Sequence, residues 1–379
     1  MGRLVCVFAT YLISALVLPS VATAAGSASS RRGDYVISDG GSSIYGGQFT
    51  PAVLRWTEPV DGYHPEGCDN SPGLAKNLKQ FGQVIPVVLM GEDSRCPLPY
   101  GRGATDVDRK FYGVGSFFYM GNDSACMSPS GIRCGATGHL VVDGDIVVTT
   151  AHTFRSIDKS RRLSDREIRE FRFYSKVWIP EEMRRNKNEA YEFREYEIES
   201  VEFGGSDERN RPQEDYAFVK LKERVGQTVS PMDSSGREIR SNRRRVADDK
   251  LVRPLPFKKF DRKQVPNIGM GVGFQKDKGW EPQKNCQPFA IHDPPNGHRM
   301  GQYPGTIIVE ADTNGMSSGM AYSLLVDGEP HFAGVNVGFY PDRTSLHGQF
   351  DIWNRFNWGI ESNSIYDHFM EFRRKFGRN

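Results

Sequence analysis

The sequence lacks a marked excess of either charge. Its 379 residues include 49 Lys and Arg against 47 Asp and Glu, a formal net charge of +2. This balance gives no global field that would gather nucleic acid or an acidic membrane, and we expect no nucleic-acid partner. Charge-rich runs between residues 155 and 250 carry interleaved acids, which favours solvated loops and exposed strand faces. A proteolytic nick at Arg243–Arg245 is the alternative.

No stretch after residue 24 is apolar enough to span a bilayer. At the N terminus, Arg3 precedes an apolar run that ends in Ala22-Thr-Ala24, a pattern typical of a removable export signal. We therefore predict a signal peptide over residues 1–24 and a secreted or periplasmic mature protein with no stable membrane association. An uncleaved anchor is the alternative, since Leu4–Ala24 is just long enough to span a bilayer when tilted.

Cysteine is scarce, with six residues at positions 6, 68, 96, 126, 134 and 286. Removal of the signal leaves five in a compartment where disulfides persist, so that one is unpaired. Cys126 and Cys134 are separated by a short loop rich in Pro and Gly, and we predict a disulfide between them. The sequence gives no order of pairing for the remaining three.

Internal repeats, metal-ligand spacings and phosphate-binding loops are also absent, so we expect no metal and no cofactor. Residues 25–86 are small, polar and rich in Gly, Pro and Asp, with only short apolar runs. This composition indicates a leader or propeptide. We assign residues 87–379 to one enlarged domain, whose oligomeric state the sequence leaves open.

Short strands separated by turn residues follow this leader. Asp143-Gly144 and Asp327-Gly328 each stand between two apolar runs, which predicts two β-hairpins. From Phe171 to Ile179 apolar and polar residues alternate, as in a half-buried strand. Near the C terminus, Ser364 precedes apolar residues at helical spacing, which predicts a helix packed on the strands. The pattern indicates an all-β antiparallel barrel or sandwich with a C-terminal helix.

Three segments contain candidate catalytic residues. His152 follows an apolar strand in Val147-Val-Thr-Thr-Ala-His152, and Asp215 precedes another in Asp215-Tyr-Ala-Phe-Val-Lys-Leu221. Ser317 lies in Gly315-Met-Ser317-Ser-Gly319, where flanking glycines permit the sharp turn that exposes a nucleophilic hydroxyl beside backbone N–H groups. Each motif alone is weak, because a histidine after a strand, an acid before one and a Gly/Ser loop all have ordinary structural roles.

The order of the three segments excludes one hydrolase pattern. Gly-x-Ser-x-Gly is also the nucleophile elbow of α/β-hydrolases, in which the serine comes first and lies between a strand and a helix. Here the serine comes last, after His152 and Asp215, and a predicted hairpin follows it. The elbow interpretation therefore fails on both counts.

The three motifs, in this order, resemble those of chymotrypsin-like serine endopeptidases, in particular the secreted bacterial glutamyl-endopeptidase-like branch. Cys134-Gly-Ala-Thr-Gly-His-Leu-Val141 resembles the strand before the histidine, and Gly91-Glu-Asp-Ser-Arg95 resembles a domain start in the bacterial branch. The resemblance covers about residues 87–379. It implies two antiparallel six-stranded β-barrels with the catalytic site between them, and protein or peptide substrates.

Carried over by motif, the resemblance makes Ser317 the nucleophile, His152 the general base and Asp215 the residue that orients it. The N–H groups of Gly315 and Ser317 become the oxyanion hole. Ser318 is a second candidate nucleophile, because it stands where the family has glycine. A noncatalytic exported binding protein on the same fold is the alternative from another class, since Met316, Ser318 and Met320 depart from the family's serine loop.

The resemblance also identifies candidate substrate-binding residues. Gly334-Val-Asn336-Val-Gly338 resembles the strand that walls the primary pocket, where Asn336 replaces the histidine of glutamate-specific members. Glutamate preference is therefore not expected. Asp312 falls near the pocket base, and a structural loop acid is the alternative. The family's cysteine partner for Cys286 is replaced by Ala311, which implies that Cys286 is the unpaired thiol.

Overall fold

In the computed structural model, the described residues are 87–90, 95–121, 126, 134–156, 161–206, 208, 211–234, 237–265, 267, 269–275, 281–285, 289–314, 316–340, 347–348 and 350–376. The predicted signal peptide and leader lie outside this part of the chain, as do Cys68, Cys286 and Gly315. Within it, no helix has both the length and the apolar character needed to cross a membrane.

The described residues form mainly β-structure, with few helices. The strands are β1 (Val87–Met90), β2 (Arg95–Pro97), β3 (Val114–Tyr119), β4 (Gly135–Leu140), β5 (Ile146–Thr149), β6 (Phe171–Trp178), β7 (Tyr191–Phe203), β8 (Ala217–Leu221), β9 (Thr228–Val229), β10 (Arg244–Arg245), β11 (Gly269–Phe274), β12 (Pro282–Asn285), β13 (Ile291–His292), β14 (Thr306–Val309), β15 (Thr313–Asn314), β16 (Ala321–Val326), β17 (Glu329–Tyr340), β18 (His347–Gly348) and β19 (Phe356–Glu361). The α-helices are α1 (Asp106–Lys110), α2 (Asp165–Ile168) and α3 (Ser362–Phe376).

Six strands close into a barrel in the order β3-β4-β5-β8-β7-β6. Every pairing between them is antiparallel. Buried and half-buried side chains alternate along β6, which confirms the predicted half-buried strand. Its inward residue Phe173 packs on Phe117 and Phe171 packs on Phe154, with ring centroids 5.1 and 5.2 Å apart. Aromatic rings therefore fill the barrel interior.

The second group of strands is an open sheet in the order β13-β14-β19-β17-β16-β11-β12-β2. The all-β prediction is confirmed, but the described strands close into one barrel rather than two. The physical reason is visible at the sheet ends. The edge strands β13 and β2 have only two and three residues, and they pair with β14 and β12 rather than with each other.

Both predicted hairpins are present. In the second, β16 and β17 are joined by Asp327 and Gly328 with φ of 55° and 78°. Two consecutive residues of positive φ make the tight turn that Asp-Gly favours, and this turn fixes the strand register. The first hairpin joins β4 to β5 with Leu140 opposite Val147. It brings β5, the strand before His152, into the barrel.

The predicted C-terminal helix is also confirmed, although α3 begins at Ser362 rather than after Ser364. Its residues Ile365, Phe369 and Phe372 are buried. Phe369 packs on Phe218 of β8, with ring centroids 5.4 Å apart. The helix therefore covers the barrel strand that follows Asp215.

The strand β1 pairs with segments that are distant in the sequence. It runs antiparallel to β15, with Val87 opposite Asn314, and parallel to β18, with Leu89 opposite His347. Because β15 ends three residues before Ser317, the first residues after the predicted leader lie directly beside the serine segment.

Candidate active site

His152 and Asp215 meet through two hydrogen bonds. The His152 backbone N–H donates to Asp215 Oδ1 over 2.9 Å, and His152 Nδ1 lies 2.8 Å from Asp215 Oδ2. Asp215 is buried, whereas the imidazole is 26% exposed. A buried carboxylate thus holds the Nδ1 edge of a partly exposed ring.

This contact determines which imidazole nitrogen carries the proton. An ionised carboxylate only accepts hydrogen bonds, so Nδ1 must carry the hydrogen that faces Oδ2. In the neutral ring Nε2 is then the free acceptor. Its nearest described partner is the Thr150 hydroxyl at 3.5 Å, a weak contact. The arrangement leaves Nε2 available to take a proton.

The barrel brings these two residues together. Thr149 at the end of β5 pairs with Ala217 at the start of β8. His152 follows Thr149 on a short 3₁₀ helix, Ala151–Phe154, and Asp215 precedes Ala217 after a second such helix, Pro212–Glu214. The pairing of the strand ends therefore places the two side chains at one rim of the barrel.

A buried ion pair joins the segments that flank this rim. Glu208 accepts from Arg155 Nε and from Arg162 Nη2, each over 2.5 Å. Arg155 follows the histidine helix, and Glu208 belongs to the segment that leads to Asp215. The sequence does not reveal this cluster, because charged residues in a charge-rich stretch show no local pattern that indicates burial. The ion pair restrains the His152 and Asp215 segments relative to each other.

Tyr216, next to Asp215, is held by the C-terminal helix. Its hydroxyl lies 2.9 Å from His368 Nδ1, and His368 Nε2 lies 2.9 Å from a carboxylate oxygen of Glu202. Burial raises the pKa of Tyr216 to about 12, so the phenol stays protonated at neutral pH. The backbone beside Asp215 is thereby fixed to α3.

Ser317 is buried and is held by Asn336 of β17. Asn336 Nδ2 donates to Ser317 Oγ over 3.1 Å and to the Ser317 carbonyl oxygen over 3.0 Å. Because a carbonyl oxygen only accepts, the amide group that faces it must be the NH₂. The buried Tyr322 hydroxyl donates to Asn336 Oδ1 from the other side. The Asn336 side chain is thus fixed in one orientation.

The serine segment is also bonded to β4 of the barrel. Thr137 N–H donates to the Ser318 carbonyl over 2.8 Å, and the Thr137 hydroxyl donates to the Met316 carbonyl over 2.7 Å. On the β17 side, Gly319 N–H donates to the Asn336 carbonyl over 2.8 Å. The segment is therefore clamped between the closed barrel and the open sheet.

Gly319 permits this close approach. Its φ is +85°, and a Cβ would overlap the Thr137 carbonyl oxygen and the Thr149 hydroxyl. We expect Gly319→Ala to lower the free energy of unfolding by about 2 to 5 kcal/mol, since left-handed strain and overpacking add. Urea denaturation measures this loss.

Gly328→Ala is the matched control for Gly319→Ala. Gly328 has a similar φ of +78°, but nothing lies within 4 Å of its Cβ position. We expect this variant to lose only about 1 kcal/mol, the cost of left-handed backbone alone. Equal losses in the two variants would contradict the close-packing explanation.

Ser317 and His152 are linked through supporting residues in this structure. Among the described side chains, no hydrogen bond joins Ser317 Oγ to His152, and Oγ bonds to Asn336 instead. The Thr149 hydroxyl donates to the Thr137 carbonyl over 2.7 Å, and Thr137 binds the serine segment. The histidine strand and the serine segment therefore meet at Thr137.

The remaining predicted site residues are Asp312, Gly315, Ser318 and Gly338. Asp312 is buried, and its carbonyl oxygen lies 3.5 Å from Asn285 Nδ2. Gly338 pairs with Trp358 across β17 and β19, and the Ser318 hydroxyl lies 3.5 Å from the Val337 carbonyl. Gly315 lies outside the described residues, so its predicted oxyanion role stays a prediction.

The cysteines give one clear result. Cys126 and Cys134 form a disulfide, which confirms the predicted pair. Both sulfur atoms lie near the carbonyl oxygen of Arg155, at 3.5 and 3.7 Å, so this bridge lies beside the segment that follows His152. Cys96 is also disulfide-bonded. The prediction that Cys286 is unpaired stays a prediction.

Comparison with known proteins gives no match, either to a protein-family model or to a curated protein. Within the described part of the chain, no group of three or more His, Cys, Asp or Glu side chains is arranged to hold a metal ion.

Proposed function

We propose that this protein is a secreted serine endopeptidase that hydrolyses peptide bonds through an acyl-enzyme intermediate. The observation that carries the proposal is the Asp215–His152 couple, which leaves Nε2 as the acceptor at a barrel rim that meets the serine segment. The order His152, Asp215, Ser317, similar to that of chymotrypsin-like endopeptidases, supports the same conclusion.

In the proposed reaction, Ser317 Oγ attacks the substrate carbonyl carbon while its proton passes to His152 Nε2. Asp215 keeps the proton on Nδ1 and stabilises the imidazolium that forms. The proton then moves from Nε2 to the leaving amine, and the acyl group remains on Oγ until water removes it. Rotation of the Ser317 side chain from Asn336 toward His152 precedes attack, because Oγ has to donate its hydrogen to Nε2.

Negative charge on the attacked carbonyl oxygen requires backbone donors. The Ser317 N–H is such a donor, since no described residue accepts a hydrogen bond from it. We assign it to the oxyanion hole together with the Gly315 N–H that the motif implies. A fixed donor of this kind stabilises the tetrahedral intermediate more than the ground state.

At the level of fold, we propose that the closed barrel and the eight-stranded sheet correspond to the two barrels of chymotrypsin-like enzymes. Thr137 of the barrel and Asn336 of the sheet both bond to the serine segment, which supports a site between the two units. The pairing of β1 with β15 supports a boundary near residue 87, because it brings the start of the domain beside that segment.

A fluorophosphonate probe tests the proposed function. The mature protein is incubated with the probe, digested, and mapped by mass spectrometry. We expect one modified residue, Ser317, and loss of labelling when the protein is first unfolded, since an activated serine reacts only in the assembled site. Absence of labelling in protein with an intact β-rich circular dichroism spectrum would refute the enzyme.

The second candidate is a noncatalytic exported binding protein. The hydrogen bond from Asn336 to Ser317 Oγ, in place of one from Ser317 to His152, favours it. A peptide library separates the two candidates: turnover of any member identifies the enzyme and its specificity, whereas binding without cleavage identifies the binding protein.

A further inference from the structure

Thr137 has an unusual set of bonds for a strand residue. It is fully buried on β4, where its hydroxyl accepts from the Phe274 N–H over 2.9 Å and donates to the Met316 carbonyl over 2.7 Å. Because the Phe274 N–H can only donate, the hydroxyl hydrogen is committed to Met316. One side chain thus joins β4, β11 and the serine segment.

The bond to Met316 controls the peptide unit before the nucleophile. In a trans peptide the C=O and the following N–H point to opposite sides. With the Met316 carbonyl held against Thr137, the Ser317 N–H points away from β4, and no described residue accepts its hydrogen bond. The Thr137 hydroxyl therefore holds the peptide unit that carries the proposed oxyanion donor.

Met316, the residue before the nucleophile, has a backbone conformation that is held against its local preference. Its φ is +76°, in the left-handed region that a residue with a Cβ rarely adopts. Such a conformation persists only when surrounding contacts determine it. Rotation of the Met316–Ser317 peptide unit, through ψ of Met316 and φ of Ser317, would turn the Ser317 N–H away from its present direction.

We propose that Thr137 is a positioning residue that aims the Ser317 N–H at the substrate oxyanion. The inference deepens the proposed function and rests on it. Thr137 touches neither substrate nor the reacting atoms, and it acts through the Met316–Ser317 peptide. Its loss should lower the rate of steps that develop an oxyanion and leave ground-state binding nearly unchanged.

The test compares Thr137→Ser with Thr137→Ala, two variants that both lose the methyl group and differ only in the hydroxyl. The readouts are the kcat and KM for the best peptide from the library and the rate of fluorophosphonate labelling. We expect the Ala variant to lose roughly 10- to 100-fold in kcat and labelling rate with little change in KM. The Ser variant should keep the rate within about threefold of the unsubstituted protein.

Ser116→Ala is the matched structural control. Ser116 faces Thr137 across β3 and β4, is equally buried, and donates to the Ala136 carbonyl over 3.1 Å. It loses a buried hydroxyl bond without touching the serine segment, so its kcat should stay unchanged. If the Ala variant at 137 does not fold, Thr137→Val removes the hydroxyl and keeps the volume.

The outcomes separate the two proposals. An unsubstituted protein that neither cleaves peptides nor labels would refute the proposed function and the role of Thr137 with it. An active protein in which Thr137→Ala keeps its kcat, or in which Thr137→Ser loses as much as Thr137→Ala, would overturn the positioning role alone. A rise in KM at constant kcat would also overturn it.

Discussion

Replacing Ser317 by alanine is expected to abolish peptide hydrolysis, with kcat lower by about 10⁶-fold, and to eliminate fluorophosphonate labelling. The change removes the oxygen that forms the acyl bond. The fold should survive, because Asn336 Nδ2 also donates to the Ser317 backbone carbonyl over 3.0 Å, and that bond remains in the variant. Residual hydrolysis would reflect the oxyanion donors and binding alone.

Ser318→Ala is the control for this experiment. The Ser318 hydroxyl lies 3.5 Å from the Val337 carbonyl of β17, so its loss costs one weak hydrogen bond. We expect this variant to retain labelling and turnover within about threefold. The reverse pattern, with activity in Ser317→Ala and none in Ser318→Ala, would move the nucleophile by one residue.

Local sequence patterns predicted the elements of this fold more successfully than their closure. Asp327-Gly328 and the alternation from Phe171 are short-range features, and the structure contains the hairpin and the strand they predict. Closure of a sheet depends on whether strands far apart in the chain pair, and no local pattern records this. The open eight-stranded sheet and the pairing of Val87 with Asn314 are therefore structural findings.

The same distinction applies within the site. His152 and Asp215 each lie at the end of an apolar strand, and the structure brings them within hydrogen-bond distance. The supporting contacts join residues that are distant in sequence, such as Thr137 and Met316 at a separation of 179. Threonine is common in strands, so the residue type at position 137 did not indicate this role.

For Asn336, the sequence predicted a position near the site but not the hydrogen bonds of its side chain. The resemblance put it on the wall of a substrate pocket, whereas in the structure its amide is committed to Ser317 and to Tyr322. Burial raises the pKa of Tyr322 well above its usual value, so its hydroxyl stays a donor to Asn336. Side-chain orientation of this kind follows from the whole hydrogen-bond network.

Asp215→Asn is expected to lower kcat by about 10⁴-fold while leaving the fold and the site geometry in place. Glu214→Gln is the control, because it removes the charge of the neighbouring acid, which pairs with the exposed Arg211 over 3.0 Å. The control should stay within about threefold, since an ion pair with an exposed arginine contributes little. A loss in Glu214→Gln with none in Asp215→Asn would reassign the orienting acid.

The expected loss in Asp215→Asn follows from the two hydrogen bonds that Asp215 accepts. The His152 backbone N–H still needs an acceptor, so the asparagine oxygen takes the Oδ1 place and its NH₂ group faces Nδ1. Because that NH₂ group donates, Nδ1 becomes the acceptor and the ring proton moves to Nε2. The nitrogen that has to receive the Ser317 proton is then already protonated. Kinetics of peptide hydrolysis and of fluorophosphonate labelling should fall together, since both require proton transfer from Ser317, and a labelling rate equal to that of the unsubstituted protein would contradict the assigned role of Asp215.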